Sequence, residues 1–507
     1  MPILPVMKAV QKIYRKIAAL VIFGSTLMSL YHANQAMAQS LVWSTNLGGI
    51  YNETAYSGLQ AADGDFLVLG STFSFGSGDF DIYLLKLNSA GDTVWAKTFG
   101  GPATEYGNDI KATHDGGYII TGSTKSYGAG KKDIYLQKID SLGNSLWMTT
   151  YGGIEDDEGW SVQAASDGGF IICGTTYSFG AGYGDLYLIK TNANGDTAWT
   201  RTFGSVGGES GAGVCEIPGD GYFAIGSTGS FGEGYSSIYA VRVGAAGDSL
   251  WAAIYGGSKA DFGRALALTL DNGFVIAGST NSYGAGYSDA YLIKINANGL
   301  VEWEKTYGST RDDNAFSICA ARDGGYMLAG TTESFGAAMI DVYVVKTDLL
   351  GNLIWNHNYG GDKSDYGRMI IQTQSRDYMV FGYSYSFSSS GSDIYVAKIK
   401  GDATPVAEPR DGNIPTGYAL TQNWPNPFNL STTIAFTLPR RSSVDLTIYN
   451  ILGQEIRRWT FPALPAGTHS IAWDGHSGSG AEVASGIYLY RINTPQFSGT
   501  RKMVLIK

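Results

Sequence analysis

The sequence predicts an all-β chain: a seven-bladed β-propeller of 52-residue repeats, closed by its own N-terminal strand, then a small β-sandwich. Three observations carry this reading. Trp43, Trp95, Trp147, Trp199, Trp251, Trp303 and Trp355 each lie 52 positions after the one before, and a fixed period of this order marks a repeat architecture. The 507 residues include 70 glycines, which recur in turn-like Gly/Asp/Asn clusters between short apolar runs, so strands rather than helices are expected. Beyond Lys400 the period stops, and short alternating strands take over at regular spacing.

At the N-terminus, Lys8, Lys12, Arg15 and Lys16 precede an apolar run from Ile17 to Leu30 and an Ala36-Met37-Ala38 site. These are the three parts of a secretory signal, placed at residues 1–38 and cleaved near Ala38. An uncleaved anchor is the alternative, but the run is short for a span. No later stretch is long and apolar enough, so no transmembrane span is expected after cleavage.

The propeller is placed at residues 39–400. In the unit that begins at Trp95, strands are expected at Asn108–Thr113, Tyr118–Thr124, Ile134–Ile139 and Ser145–Tyr151. Asp115-Gly116-Gly117, Ser126 to Gly130 and Ser141-Leu142-Gly143-Asn144 supply residues to which positive φ comes cheaply. The inner strands are apolar on both faces, as in a sheet covered on both sides, and four-stranded sheets repeated around an axis make a propeller. Leu41 to Leu47 is a Trp segment with no strands before it, and the last unit lacks its Trp strand. The first therefore completes the last, giving seven blades and leaving no free edge. An open solenoid would have no use for that orphan strand.

The copies agree closely with one another. Tyr83, Tyr135, Tyr187, Tyr239, Tyr291, Tyr343 and Tyr395 are equivalent, and the residue three positions on is always basic. One ring of acids is Glu53, Glu105, Asp157, Glu209, Asp261, Asp313 and Asp365; a second runs through Asp81, Asp133, Asp185, Asp289, Asp341 and Asp393, with Ser237 in the fourth unit. A group repeated in every blade does the same work in each, so both rings are assigned to blade geometry and the tryptophans to docking between blades. The turn-plus-Trp stretch Asn192 to Trp199 resembles the tryptophan-docking repeat of quinoprotein-dehydrogenase-like propellers. That resemblance supports the fold and carries no activity, because this chain lacks the vicinal cysteine pair of those enzymes. Cys173, Cys215 and Cys319 are read as small buried hydrophobes.

Function is sought where the copies differ. Equivalent positions hold Tyr56, Asn108, Trp160, Ala212, Arg264, Phe316 and Arg368, expected around the mouth of the central channel. Aromatic and arginine side chains there suit a sugar or a protein partner, and the adjoining loops (Glu155-Asp156, Lys259-Ala260, Arg311-Asp312, Lys363-Ser364) also vary. No catalytic residue is assigned: His114 and His357 are not equivalent, and no nucleophile elbow or phosphate loop occurs. No metal or cofactor is expected; Glu155-Asp156-Asp157-Glu158 and Asp312-Asp313 are the only hints of Ca²⁺, without a calcium-loop spacing.

Residues 401–417 form a polar, proline-bearing linker, and 418–507 the β-sandwich, with strands expected at 432–438, 444–450, 455–461, 469–473, 487–493 and 502–506. The tail carries Asn423-Trp424-Pro425-Asn426-Pro427-Phe428-Asn429, Ile448-Tyr449-Asn450-Ile451-Leu452-Gly453, Trp473-Asp474-Gly475 and Gly486-Ile487-Tyr488. These resemble the type A C-terminal sorting domain of the type IX secretion system, an Ig-like module related to that of the flagellar hook-capping protein. The resemblance implies export through the outer membrane, with Asn423, Pro425, Asn426, Pro427, Phe428, Asn429, Gly453, Trp473, Asp474, Gly475, Gly486 and Tyr488 as sorting motif and the secretion machinery as partner. A plain Ig-like adhesive module is the alternative.

The formal charge is −10, the signal carries four bases and no acid, and the tail is net basic. About −18 is left on the repeats, which excludes a nucleic-acid partner. The expected protein is a monomer, secreted or on the outer cell surface, that binds an extracellular glycan or protein. The alternatives are a carbohydrate-active enzyme with acids at the channel mouth and a purely structural surface protein.

Overall fold

The computed structural model describes residues 41–401 except 270, 323, 337–338 and 389, and residues 417–506 except 424–425, 429–431, 465–466, 474 and 479–480. The signal (1–38), residues 402–416 of the linker, and Pro425, Asn429 and Asp474 lie outside the described residues. Every regular element among the described residues is a strand, and none of their helices, there being none, crosses a membrane.

Seven four-stranded antiparallel sheets follow one another along the repeats. Sheet 1 comprises Glu53–Gln60, Phe66–Thr72, Asp81–Leu87 and Thr93–Phe99. The first strands of sheets 2 to 7 are Glu105–Ala112, Asp157–Ala164, Glu209–Glu216, Asp261–Leu268, Asp313–Ala320 and Asp365–Gln372. In sheet 7 the fourth place is taken by Leu41–Leu47, which pairs antiparallel with Asp393–Ile399 from Leu41 opposite Ile399 to Leu47 opposite Ile394. First strands of successive sheets lie against each other, and that of sheet 7 lies against that of sheet 1.

Burial explains the composition of the strands. The second strand is buried at every position in all seven sheets, as in Phe170–Thr176, so both faces must be apolar or hydrogen-bonded. The fourth strand alternates, with Thr93–Phe99 exposing every second residue, because its outer edge meets water. One core cluster gathers Phe223, Phe274 and Tyr291 from sheets 4 and 5, so the apolar core lies between sheets rather than within one.

The tryptophans of sheets 1 to 5 and of sheet 7 reach the turn of the next sheet. A β-carbon built on Gly143 would sit 2.7 Å from the Trp95 ring, on Gly195 2.9 Å from Trp147, on Gly247 2.9 Å from Trp199 and on Gly351 2.5 Å from Trp303. The turn glycines have positive φ as well, +78° at Gly143 and +87° at Gly195. Two constraints therefore select glycine: the left-handed backbone and the indole against it. The same seam is tied by Tyr151, Tyr255 and Tyr307, whose hydroxyls donate to the carbonyls of Gly195, Gly299 and Gly351. The recurrent bases are also structural: Lys138, Lys190, Arg242 and Lys294 pair with Asp115, Asp167, Asp220 and Asp271 in the first turn of their own sheets. No disulfide joins the three cysteines; Cys173 and Cys215 are buried as expected, while Cys319 is only half-buried, and burial pushes the Cys173 and Cys215 thiols up to about 12.

The C-terminal unit is a sandwich of a three-stranded and a four-stranded sheet. Thr432–Leu438 has the extent expected, while Glu455–Leu464 runs three residues further than expected. Trp473 is fully buried, packs against Phe428 and Tyr488, and donates its indole N–H to the His476 carbonyl. Asn423 donates to Tyr490 and Thr432, and Asn426 accepts the Val504 amide. Gly453 and Gly475 hold positive φ. The described motif residues are thus builders of this core and its turns, with Pro427 following Asn426 across a cis bond.

Gly168 (φ +86°) has no atom within 4 Å of a built β-carbon, whereas Gly195 (φ +87°) has the Trp147 ring at 2.9 Å. Gly168→Ala is expected to lose about 1–2 kcal/mol from backbone strain alone, and Gly195→Ala about 1–3 kcal/mol more from overpacking. Urea denaturation of both variants checks this; equal losses would remove the indole from the account.

Candidate functional site

Each first strand carries one residue too many. Its register against the second strand breaks between Ala55 and Ser57 in sheet 1, and at the equivalent place in the other six sheets. The skipped residues are Tyr56, Asn108, Trp160, Ala212, Arg264, Phe316 and Arg368, the seven equivalent, varying positions expected at the channel mouth. A bulge leaves one residue unpaired and re-aims its side chain, so the fold frees these positions from sheet pairing and thereby lets them vary.

The structure brings three of them into contact. The Arg368 guanidinium lies 4.4 Å from the Phe316 ring centroid and 5.7 Å from that of Tyr56, reaching the sheets on either side of its own. Two further rings enclose it, Tyr383 at 5.4 Å and Tyr366 at 5.7 Å, and these stack on each other at 4.7 Å. Such cation–π contacts are worth ~0.5–2 kcal/mol each. Arg368 donates to the Tyr383 hydroxyl (2.9 Å), while its buried Nε has no hydrogen-bond partner. Arg264 is open to solvent, yet the crowding of protein around it and then the repulsion from Arg368 hold its pKa below the ordinary arginine value. Burial raises the Tyr56 phenol, and the Arg368 charge opposes that rise.

The other positions do not join this cluster. Asn108 spends its amide on the Gly159 carbonyl at 2.8 Å, Trp160 is 40% exposed, and Ala212 brings no functional group. Tyr383 and Tyr366 were not among the residues singled out from sequence. A signal existed: the six equivalents of Tyr383 are Ser71, Ser123, Thr175, Ser227, Ser279 and Thr331, so the seventh copy departs from an otherwise small, hydroxylic column.

Both rings of acids are buried in backbone work. Glu105 accepts the Gly101 amide (2.8 Å), the Thr124 hydroxyl (2.7 Å) and the Ser126 amide (3.1 Å). Asp157 accepts the Gly153 amide and the Ser178 hydroxyl. In the second ring, Asp289 accepts the amides of Ala285 and Gly286. The rings meet at every seam but that after sheet 4, where Ser237 replaces the acid; a β-carbon on Gly100 would lie 2.1 Å from Asp81 Oδ1 and 2.5 Å from Glu105 Oε2. Burial, and then the neighbouring carboxylate, raise the pKa of Asp133 and Asp393 against the pull of their hydrogen bonds; Asp185 and Asp289 rise likewise. The acidic stretch at Glu155–Glu158 is met by lysines, Lys131 on Glu155 and Lys132 on Glu158. Among the described residues no three His, Cys, Asp or Glu side chains gather as a metal would need. Two hollows of about 330 and 290 Å³ lie away from the arginine cluster, at outer seams lined by residues such as Tyr307 with Gly351, and Tyr359 with Tyr395; they follow from the docking of sheets.

Comparison with known proteins identifies an FlgD Ig-like domain at residues 428–496. The regulatory protein FlaEY of Caulobacter vibrioides is 25% identical over 158 residues, which are 26% of this chain and 17% of that protein; the chain thus spans under a fifth of that relative. The repeats are propeller-like. Similar solved structures include the Neurospora crassa Pan2 WD40 domain (9% identity, 71% of this chain and 96% of that one, TM-score 0.41). Others are a GH93 α-L-arabinofuranosidase of Fusarium graminearum (8%, 70% and 97%, 0.42) and PorZ, a surface component of the type IX secretion system of Porphyromonas gingivalis (11%, 92% and 75%, 0.29).

The carboxylates set a pH dependence of opposite signs. Asp133, Asp185, Asp289 and Asp393 have raised values, so their contribution is present at low pH and is lost as pH rises through the folded-state pKa. Asp115 is lowered to about 2 by the Thr113 hydroxyl and then by Lys138; with Asp63, Asp167, Asp271 and Asp377, also lowered, it contributes above the usual carboxylate range and is lost as pH falls. Stability should therefore peak on the mildly acidic side. Asp289→Asn keeps an acceptor for the two loop amides and removes the charge, so its urea midpoint should decline less than wild type as pH rises from about 4 to about 8. Parallel curves would show that the seam charge is without effect.

Proposed function

We propose that the seven sheets are the blades of a seven-bladed β-propeller, joined through the Leu41–Leu47 strand, and that this protein is an extracellular binding module. Its ligand, a glycan or a protein, is taken on the end of the channel where Tyr56, Trp160, Arg264, Phe316 and Arg368 lie. The observation that carries this reading is the convergence of Phe316, Arg368 and Tyr56 from three successive sheets. Residues that differ among otherwise agreeing copies meet in one cluster, as a site on a symmetric scaffold requires. The acids give less support to hydrolysis, because those of the first ring are buried and bonded to amides and hydroxyls. We further propose that the N-terminal signal and the C-terminal Ig-like domain deliver the chain, by a type IX-like route, to the outer surface or the medium; the family match at 428–496 supports the Ig-like part.

Two experiments test this. The full chain, applied to a panel of polysaccharides and glycans, should bind at least one saturably, and Trp160→Ala/Arg264→Ala should lose that binding by about tenfold or more. Binding that survives the double substitution moves the site off this end. In a bacterium with a type IX system, the full chain should reach the surface or the medium, and a chain lacking residues 418–507 should remain in the periplasm. Equal delivery of both would overturn the sorting role.

A further inference from the structure

The connections that enter each first strand repeat one anchor. The backbone amides of Tyr51, Ala103, Glu155, Gly207, Lys259, Arg311 and Lys363 each donate to the hydroxyl of a serine 23 residues on. These seven positions are therefore structurally equivalent, and their side chains compare directly. Three consecutive ones, in the entries to sheets 5, 6 and 7, are basic and exposed: Lys259, Arg311 and Lys363. Five residues further along the first strands of sheets 5 and 7 stand Arg264 and Arg368. None of the five basic groups is ion-paired with a described carboxylate, although Asp312 and Asp362 stand beside two of them in sequence. Over sheets 2 and 3, by contrast, Lys131 pairs with Glu155 and Lys132 with Glu158.

An acidic repeat region thus gathers unpaired positive charge in one sector at one end. Arg264 is open to solvent and feels the charge of Arg368, and an anion seated among these like charges would offset their repulsion. Arginine favours planar oxyanions, which it grips with two parallel hydrogen bonds.

The same end carries exposed rings. Tyr183, Tyr235 and Tyr287, on equivalent loops of sheets 3, 4 and 5, are 83%, 95% and 78% exposed. Their loops are hydrogen-bonded to the entry of the following sheet, as Tyr183 N–H to the Gly207 carbonyl and Glu209 N–H to that of Gly184. A row of tyrosines beside a row of bases offers flat apolar faces for sugar rings and cations for their charged groups. We propose that this sector binds an acidic polysaccharide, its carboxylate groups on Lys259, Arg264, Arg311, Lys363 and Arg368 and its sugar rings on the adjoining aromatics.

This inference rests on the binding-module reading, and the test keeps the two apart. Binding of the full chain would be measured to polygalacturonate, a sulfated galactan, a neutral glucan and polyglutamate, at salt from about 50 to about 500 mM. Polygalacturonate should bind most tightly and weaken with salt. Lys259→Ala/Arg311→Ala/Lys363→Ala, three exposed changes, should weaken it by about tenfold, and Asp248→Asn, in the exposed turn at the other end of sheet 4, should leave it unchanged. Preference for the sulfated galactan would keep the anionic saccharide but replace carboxylate by sulfate. Polyglutamate binding as tight as polygalacturonate would overturn the saccharide assignment. Neutral-glucan binding, indifferent to salt and to the triple substitution, would overturn this inference and leave the binding module standing. No binding to any saccharide would remove the glycan reading with it.

Discussion

A sheet whose second and third strands are apolar on both faces cannot stand in water by itself, and this governs the whole repeat region. Each sheet supplies half of a core and borrows the other half from its neighbour, as where Phe223 of sheet 4 stacks on Phe274 of sheet 5 at 3.9 Å. The indole laid on the next turn glycine then sets how far one sheet is advanced against another. Only glycine tolerates both the positive φ and the ring at that point, so the six copies docked in this way keep a glycine there.

Regularity and function divide the sequence between them. The acids, hydroxyls and bases that recur in every copy are consumed in holding loops and seams: Glu105 on amides and a threonine, Lys138 on the turn aspartate. Much of the variation falls at the bulged residue and in the entry loops, which carry no shared bond through their side chains. Where the seventh copy replaces a small hydroxyl by Tyr383, a guanidinium gains a fourth ring and a phenolic acceptor, and the cluster becomes unlike any other seam.

Much of this was legible beforehand, and the remainder was hidden for physical reasons. Tyr118–Thr124 and Ser145–Tyr151 coincide with the expected strands residue for residue, because two-faced apolarity and turn glycines are local signals. The first strand begins at Glu105, three residues before Asn108, since a buried acid at a strand's start reads as a turn residue until its threonine partner across the sheet is seen. The bulges were invisible for the same reason: a register slip belongs to two strands, not one. Position Arg368 could be named from the variation among copies, but its neighbours Tyr366 and Tyr383 come from other columns, and only the fold places them around one charge. In the tail, residues grouped as an address turned out to include the sandwich's own core, Phe428, Trp473 and Tyr488.

The join made by Leu41–Leu47 has a mechanical character. Leu41 lies opposite Ile399, so the chain enters and leaves this strand pair at the same end. Tension between the segment before Leu41 and the segment after Lys400 would load the hydrogen bonds one at a time, as in a zipper, rather than together, as in shear. The strand is also among the least buried of the repeat region. A molecule held by both ends would therefore yield first at its own clasp, at low force, and the six sheets that precede the last would keep their pairing while it opened.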